Sequence, residues 1–280
     1  MKKSPTQELH NQVTGNKGIV IPARFSQKID AHILGNMLDI VEYPLIMAII
    51  GRPGVGKTYQ LRGYLDAVGI DIISVSAADL ESDRAGEPAK LLQQKYIEAS
   101  SSISKYNPSI ILIDDIDTTL GEWEKNTGTV NHQDILAFLM HIADNPYYIE
   151  NVGKVNRVPI FFTGNNFDLL YKPLIRNGRA IRVDWEPNRE EKIAIIRSIF
   201  SFDDQKNAET LVDAYPDKEI SFFSHMFASE SIARLAKIAN NVVFKYILTD
   251  KKYKSDLLTR YCEEKQKIDW NSLENTEKTT

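Results

Sequence analysis

Cysteine is almost absent from this chain of 280 residues, because Cys262 is the only one. A single cysteine excludes an internal disulfide and a zinc site built from several cysteines, and it suits a reducing compartment. Long apolar runs are missing too, since the longest, Leu45–Ile50, is far shorter than the ~20 residues that cross a bilayer. The start, Met1–Asn11, is polar and unlike a secretion signal. We therefore expect a soluble, cytoplasmic protein without a membrane partner.

The chain also lacks an excess of positive charge. Its formal net charge is −4 and its sequence pI is about 5.8, so no overall basic field favours nonspecific binding of nucleic acid. This weighs against a nucleic-acid partner, although a local basic patch stays compatible with the composition. With 42% hydrophobic residues, the chain can bury one large core and a smaller second one.

A phosphate-binding pattern follows the strand-like run Ile46–Ile50. The segment matches G-x-x-x-x-G-K-[ST], and with the next residue it supplies the predicted nucleotide-binding residues Gly51, Arg52, Pro53, Gly54, Val55, Gly56, Lys57, Thr58 and Tyr59. Glycines let backbone N–H groups surround phosphate oxygens, and the following helix directs its positive end at the same anion. Lys57 is expected to reach the β and γ phosphates of ATP, and the Thr58 hydroxyl to bind Mg²⁺. The pattern predicts a nucleotide hydrolase; the alternative is a plain glycine-rich turn.

Short β-rich apolar runs alternate with segments long enough for helices. This alternation predicts an α/β fold with a mainly parallel sheet that is covered on both faces. The predicted strands are Leu45–Ile50, Asp71–Val75, Ile110–Ile113, Pro159–Thr163 and Ala180–Val183. The predicted helices are Lys57–Val68, Ala89–Ile103, His132–Ile142 and Asp168–Arg176, and helix-like apolar spacing also covers Ala31–Leu38.

A change of character near Pro187 predicts a domain boundary. From Glu190 onward the apolar positions follow helical periods only, as in Ile193 and Ile196. We predict a nucleotide-binding α/β domain over residues 21–187 and a small helical domain over 188–270. Residues 1–20 are predicted to be a flexible segment, and residues 271–280 a disordered tail.

Three carboxylates, Asp114, Asp115 and Asp117, follow the buried strand-like run Ile110–Ile113. In enzymes with a phosphate loop, this is where the metal ion and the attacking water are handled. Asp114 is predicted to hold Mg²⁺ through its water shell, and Asp115 to orient and polarise the nucleophilic water. The alternative is a strand that ends in a solvated acidic turn.

A second apolar run, Ile160–Gly164, ends in the amides Asn165 and Asn166. If this strand lies beside the phosphate-loop strand, Asn165 can hydrogen-bond the γ phosphate or the attacking water and so sense the nucleotide. Asn166 could take the same role. Asparagine at a strand end is also ordinary turn chemistry.

Two arginines, Arg176 and Arg179, lie three residues apart at the end of the last predicted helix of the α/β domain. In ring ATPases such side chains reach the γ phosphate of the neighbouring subunit, where they stabilise transition-state charge. The alternative is a helix end whose cations suit the helix dipole.

Longer strings in the chain resemble the AAA+ ATPases and, more narrowly, Rubisco activase. They extend over roughly Ile21 to Phe223 and are more specific than the phosphate loop. The matching strings are Ser76–Pro88 with the AKLLQQKY after it, His141–Pro146, Arg157–Ile160, Thr163–Asn165 and Leu170–Arg179. The resemblance implies a P-loop AAA+ fold, in which a three-layer αβα domain with a parallel five-stranded sheet precedes a small α-helical lid domain.

The resemblance also implies a homo-oligomer, a hexameric ring in which ATP hydrolysis moves pore loops that tug on a protein client, either Rubisco or another complex. The first pore loop would be Ser76–Glu87 and the second Thr118–Asn131. Leu80, with Glu81 and Asp83 nearby, is the predicted client contact, an apolar grip among carboxylates. The alternative is an ordinary charged surface loop.

The chain departs from the family pattern at two places. Where the family has asparagine and then aspartate after the third strand, this chain has Asp114 and Asp115, as generic AAA+ members do, so hydrolysis is expected to survive. His225–Ser229 contains no arginine where the family supplies a second sensor of the nucleotide, and Arg234 is the candidate that remains downstream.

A nucleotide-gated assembly or switch ATPase, which recruits protein or nucleic-acid partners without threading them, is the alternative function. Basic residues near the C-terminus leave it open: Lys251, Lys252, Lys254, Arg260, Lys265 and Lys267. Acidic residues are interleaved with them, so a solvated helix face is favoured. A small-molecule kinase is disfavoured, because paired arginines and a helical appendage fit ring assembly better.

Overall fold

The computed structural model of the chain describes residues 19–40, 42–80, 86–117, 130–200, 205–239 and 242–266. Contacts divide the chain into two units between Pro187 and Asn188. The described part of the first unit combines strands and helices, and that of the second consists of helices and their connections. Most of the predicted flexible start and the whole predicted disordered tail lie outside the described residues.

Five parallel strands form the central sheet, which confirms the predicted α/β fold. The strands of the first unit are β1 Ile46–Ile50, β2 Asp71–Val75, β3 Ser109–Ile113, β4 Tyr148–Ile149, β5 Gly153–Lys154, β6 Ile160–Gly164 and β7 Ala180–Asp184. The sheet has the order β2-β3-β6-β1-β7, and β4 and β5 form a separate antiparallel pair that the sequence did not predict. In this register Ile50 pairs with Gly164 and with Asp184. The carboxyl ends of the parallel strands therefore meet at one edge, where ligands bind in such folds.

Helices cover both faces of this sheet and make up the second unit. Those of the first unit are α1 Ala23–Met37, α2 Lys57–Ala67, α3 Ala77–Leu80, α4 Glu87–Ser104 and α5 Val130–Asp144. Those of the second are α6 Arg189–Phe200, α7 Gln205–Ala214, α8 Ile220–Ala239, α9 Phe244–Thr249 and α10 Lys251–Gln266. None of the helices in the described residues is both long enough and apolar enough to cross a bilayer.

The core lies on both faces of the sheet because successive side chains of a strand point to opposite faces. Ile111 and Ile113 of β3 belong to a cluster with residues of α4 and α5. Ile110 and Leu112 belong to a second cluster with residues of α1 and α2. Every position of β1, β3 and β6 is buried, which explains why these strands are continuous apolar runs in the sequence.

The predicted helix over Asp168–Arg176 is wrong. A 3₁₀ helix covers Phe167–Leu169 only, and turns follow it. Pro173 lacks an N–H and restricts the residue before it, so a continuous helix is opposed here. Gly178, with a φ of 93°, then takes a left-handed conformation that suits glycine. The paired arginines therefore lie in a turn rather than at a helix end.

His32 of α1 is a buried ionisable residue in the first unit. It is 0% exposed, and its ring lies 5.7 Å from that of Tyr43 and 5.0 Å from that of Phe161, centroid to centroid. Neither ring nitrogen makes a well-formed hydrogen bond among the described residues, although backbone groups of Ile160 and Leu45 lie near the ring. Burial lowers the pKa of His32 to about 3. The backbone groups of Ile160 and Leu45 act in the opposite direction, and the charge of Arg157 lowers the pKa further. The imidazole is therefore neutral in the folded protein.

This burial predicts that His32 makes the protein less stable in acid. Between its ordinary pKa of 6.5 and about 3, the unfolded chain binds a proton that the folded chain excludes, so stability falls as the pH drops through that window. We expect His32→Phe to reduce this fall by up to about 1.4 kcal/mol per pH unit. Urea unfolding followed at pH 7, 6 and 5 measures the slope.

A matched control is Ile29→Val, which changes another buried residue of α1 without altering a titratable group. This variant should keep the wild-type dependence of the unfolding free energy on pH. A slope in His32→Phe that equals the wild-type slope would contradict the assignment.

Candidate active site

The phosphate loop joins β1 to α2, and its backbone takes conformations that require glycine. Gly54 and Gly56 have φ values of 80° and 86°, a left-handed conformation that residues with a Cβ rarely adopt. A Cβ on Gly51 would lie 2.1 Å from the carbonyl oxygen of Trp185, so only glycine fits there. Val55 is 0% exposed and anchors the loop in the core.

Three of the predicted nucleotide-binding residues have exposed side chains. Arg52, Pro53 and Tyr59 are exposed, and they leave the inward positions to the backbone and to Lys57. The Arg52 guanidinium donates two hydrogen bonds to the Glu186 carboxylate, at 2.7 and 3.2 Å. This pair ties the loop to the chain that follows β7.

Lys57 is the buried cation of the site, at 7% exposure. Its Nζ donates to the carbonyl oxygens of Gly51 and Arg52, at 2.7 and 3.0 Å, and to Oδ1 of Asn165 at 3.0 Å. Burial lowers the pKa of Lys57, and nearby carboxylates, first that of Asp115, partly offset the effect. Because β6 lies beside β1 in the sheet, Lys57 and Asn165 meet although they are far apart in sequence.

The Asp114 carboxylate accepts hydrogen bonds from three side chains. Its Oδ1 lies 2.9 Å from Oγ1 of Thr58 and 3.0 Å from Oγ1 of Thr163, and its Oδ2 lies 2.7 Å from the Arg62 guanidinium. The two predicted metal ligands, Thr58 and Asp114, are thus adjacent, and both present oxygen atoms. A hydroxyl and a carboxylate fit Mg²⁺, which prefers oxygen and takes few protein ligands.

Thr163 of β6 is a site residue that sequence reasoning missed. Its hydroxyl donates to Asp114 and accepts from the backbone N–H of Asp115 at 3.2 Å, so it joins the ends of β3 and β6. Asp115 has a φ of 48°, and its side chain is exposed. The available signal was a hydroxyl residue in an otherwise apolar strand.

Asp117 is a second residue that the sequence left without a role. It is 8% exposed, and its Oδ2 accepts the backbone N–H groups of Asn165 and Asn166, at 2.8 and 3.0 Å. These bonds hold the chain after β6 where the Asn165 side chain meets Lys57. The Asn166 side chain instead accepts from the N–H of Asp168 at 2.9 Å. Asn165, not its neighbour, therefore faces the phosphate loop.

The structure corrects the prediction that both arginines are available to a neighbouring subunit. Arg179 is 9% exposed, pairs with both carboxylate oxygens of Asp144, and donates to the Pro173 carbonyl at 2.7 Å. The hydrogen bonds between them raise the pKa of Arg179 and lower that of Asp144. The Arg176 side chain is 60% exposed and lies 3.5 Å from Asp144. Arg179 is held inside its own subunit, whereas Arg176 is accessible.

The prediction that Leu80 is a client contact is wrong. Leu80 is 1% exposed and belongs to the hydrophobic core of the first unit, because burying a leucine side chain is worth roughly 1.5–3 kcal/mol. The two acidic contacts predicted beside it, Glu81 and Asp83, lie outside the described residues. Of the second predicted pore loop, Asn131 is described, and its side chain accepts from the N–H of Gly86 at 2.7 Å.

Arg234, the candidate second sensor, is buried in α8. It is 3% exposed, and its guanidinium lies 3.5 Å from Glu230 one turn earlier.

The chain is similar in sequence to known proteins. Residues 47–185 match the family described as "ATPase family associated with various cellular activities (AAA)". The chain is 41% identical over 215 residues to the ribulose bisphosphate carboxylase/oxygenase activase of Nostoc sp. This alignment covers 73% of this chain and 52% of that protein. It is 40% identical over 235 residues to the chloroplastic activase of Zea mays, covering 80% and 54% of the two chains. For the chloroplastic activase of Arabidopsis thaliana the identity is 41% over 221 residues, covering 75% and 47%. The chain spans about half the length of the curated relatives it matches.

The different surroundings of the two arginines predict different effects on stability. Arg179→Ala should cost about 1–3 kcal/mol, because it removes several hydrogen bonds and leaves Asp144 without its close partner. Arg176→Ala, the matched control, should change stability by less than about 0.5 kcal/mol. Thermal unfolding followed by circular dichroism distinguishes the two. Equal losses in both variants would contradict the structure.

Proposed function

Because residues 47–185 belong to the AAA family of ATPases, we propose that this chain binds ATP with Mg²⁺ at the phosphate loop and hydrolyses it to remodel a protein client. One observation carries the proposal. At the carboxyl edge of the sheet, Lys57 lies 3.0 Å from Asn165, and Thr58 lies 2.9 Å from Asp114. These are the residue types that phosphoryl transfer requires, since it depends on positioning and on the stabilisation of charge.

The hydrogen-bond acceptors of the Lys57 ammonium group are ones that phosphate oxygens can replace. Its three acceptors are two loop carbonyls and the Asn165 amide oxygen, none of which carries a formal charge. Phosphate oxygens offer the ammonium group a stronger, charge-assisted hydrogen bond. Nucleotide binding is therefore proposed to exchange neutral acceptors for charged ones without moving the loop backbone.

Thr58 and Asp114 are the residues proposed to hold magnesium, which, when bound, neutralises charge on the transferring phosphate. Asp115 follows Asp114 in the chain and has an exposed side chain on a left-handed backbone position. Its carboxylate is proposed to orient and polarise the attacking water. Asn165, fixed through its backbone by Asp117, is proposed to contact the γ phosphate or that water and to report its loss after hydrolysis.

Arg176 is proposed to act on the nucleotide of the neighbouring subunit in a homo-oligomeric ring, a hexamer as in the AAA+ assemblies that the sequence resembles. Its side chain is 60% exposed, so it is available to a partner in a way that the buried Arg179 is not. A guanidinium that enters a phosphate site from outside can stabilise transition-state charge.

The client is proposed to be a protein, with Rubisco as the first candidate because the relatives are named as its activases. Glu81 and Asp83 remain candidates for contacts with the client, whereas the buried Leu80 is no longer one.

The burial of Leu80 favours a second candidate function. Without an exposed apolar residue at that position, the case for a grip on a threaded chain is weaker. A nucleotide-gated assembly ATPase, which changes its oligomer and recruits partners without threading, needs no such grip. Both candidate functions use the same nucleotide chemistry. They differ in which partner stays bound when ATP hydrolysis is blocked.

Mixing subunits tests whether Arg176 acts across an interface. Arg176→Ala should bind ATP nearly as tightly as wild type and lose at least about tenfold in turnover, because it removes only charge stabilisation. Lys57→Ala should bind no ATP. Mixed with Arg176→Ala subunits, it should restore part of the turnover, since each variant supplies what the other lacks. Steady-state phosphate release measures this, and the absence of rescue would place Arg176 outside the shared site.

A hydrolysis-blocked variant tests the client. Asp115→Asn keeps the shape of the side chain but removes its charge, so ATP should bind and persist. Pulldown from the native cell with ATP present should then retain the client, and pulldown with ADP should not. Rubisco large subunit in the ATP sample supports remodelling of Rubisco. A nuclease-sensitive nucleic acid in its place would support the assembly ATPase.

A further inference from the structure

Arg62 is a charged residue at the carboxyl edge of the sheet to which the mechanism above gives no role. It lies on α2 four residues after Thr58, and residues with this spacing share one face of a helix. Both side chains reach the same carboxylate, since Thr58 contacts Oδ1 of Asp114 and Arg62 contacts Oδ2 at 2.7 Å. One helical turn therefore presents a hydroxyl and a cation to the residue proposed to hold magnesium.

The two oxygens of Asp114 have different surroundings. Oδ1 accepts from two neutral hydroxyls, those of Thr58 and Thr163, which fix the direction of the carboxylate. Oδ2 faces the guanidinium of Arg62, which balances its charge. The Asp114 side chain is 22% exposed and that of Arg62 is 42% exposed, so the acid is sheltered while the cation has room to leave.

We propose that Arg62 is a positioning residue that neutralises Asp114 before the metal binds and thereby sets the Mg²⁺ concentration that the site needs. This inference rests on the proposed function. A partly buried carboxylate without a counter-ion is costly, and Arg62 removes that cost when no metal is bound. The same cation opposes a second cation at Asp114, because like charges at short range repel. Magnesium must therefore displace Arg62 or share the carboxylate with it.

The consequence is a site that keeps its geometry without metal but binds magnesium less tightly than an unpaired aspartate would. Arg62→Gln should lower the half-saturating Mg²⁺ concentration by about two- to fivefold, the range expected for an ion pair that is partly open to solvent. Arg62→Lys should stay near the wild-type value, because it keeps the charge. Arg62→Met, which keeps most of the aliphatic stem, should lower the half-saturating Mg²⁺ concentration by a similar factor. Agreement between the two variants would show that the change does not come from a folding defect in the glutamine variant.

The measurement uses binding rather than turnover. Fluorescent ADP is titrated into the full chain without divalent cation and then at increasing Mg²⁺, and the metal dependence of its affinity gives the half-saturating concentration. Affinity without metal should be nearly equal in wild type and the Arg62 variants, because Arg62 contacts the carboxylate rather than the phosphate loop. Weaker binding of fluorescent ADP without metal, together with an unchanged Mg²⁺ dependence, would mark Arg62 as merely structural and overturn the inference.

The matched control is Arg189→Gln, which breaks the ion pair between Arg189 and Asp213 in the second unit, at 2.7 Å and with both side chains about half exposed. It should leave the Mg²⁺ dependence unchanged. The inference is overturned if the glutamine and methionine variants of Arg62 need as much Mg²⁺ as wild type, or more. Failure of wild type to bind fluorescent ADP at any Mg²⁺ concentration would instead overturn the proposed function, so the two failures are distinguishable.

Discussion

The parallel alignment of three neighbouring strands is the constraint on which the site depends. Strands β3, β6 and β1 lie side by side and end at the same edge, so the segments after them converge. Lys57 and Asn165 are 108 positions apart in sequence and 3.0 Å apart in space. The hydroxyl of Thr163 connects the ends of β3 and β6 directly. A shift of register in one strand would separate these groups, because side chains alternate between faces.

Charged side chains around this edge have polar or charged partners within the subunit. Lys57 is held by neutral oxygens, Asp114 by Arg62, and Arg52 by Glu186. Such internal pairs keep sheltered charges from destabilising the fold. Under the proposed function, a triphosphate and its metal would enter by replacing these partners, so their affinity would reflect a difference between two sets of interactions.

Within a single segment of the sequence, some side chains are buried in the fold and others are exposed. Arg176 and Arg179 lie in one turn and both contact Asp144, yet Arg179 is buried against it while the Arg176 side chain is 60% exposed. Leu80 stands among acidic residues in the sequence but completes the hydrophobic core. Resemblance identifies such segments as a unit, whereas burial decides which of their side chains can reach a partner.

Local patterns in the sequence determined the phosphate loop, the five strands and the change to helices after Pro187. These follow from residues close together in the chain: glycines that permit left-handed backbone, apolar runs that stay buried, and helical periodicity. The helix expected before Arg176 failed because the effect of Pro173 outweighed the apolar spacing around it. The tertiary structure alone decided the contacts of Thr163, Asp117 and Arg62, since each depends on strand order or on a helix face meeting a distant strand end. It also decided the burial of Leu80, because the free energy of placing a side chain inside comes from neighbours that no local segment contains.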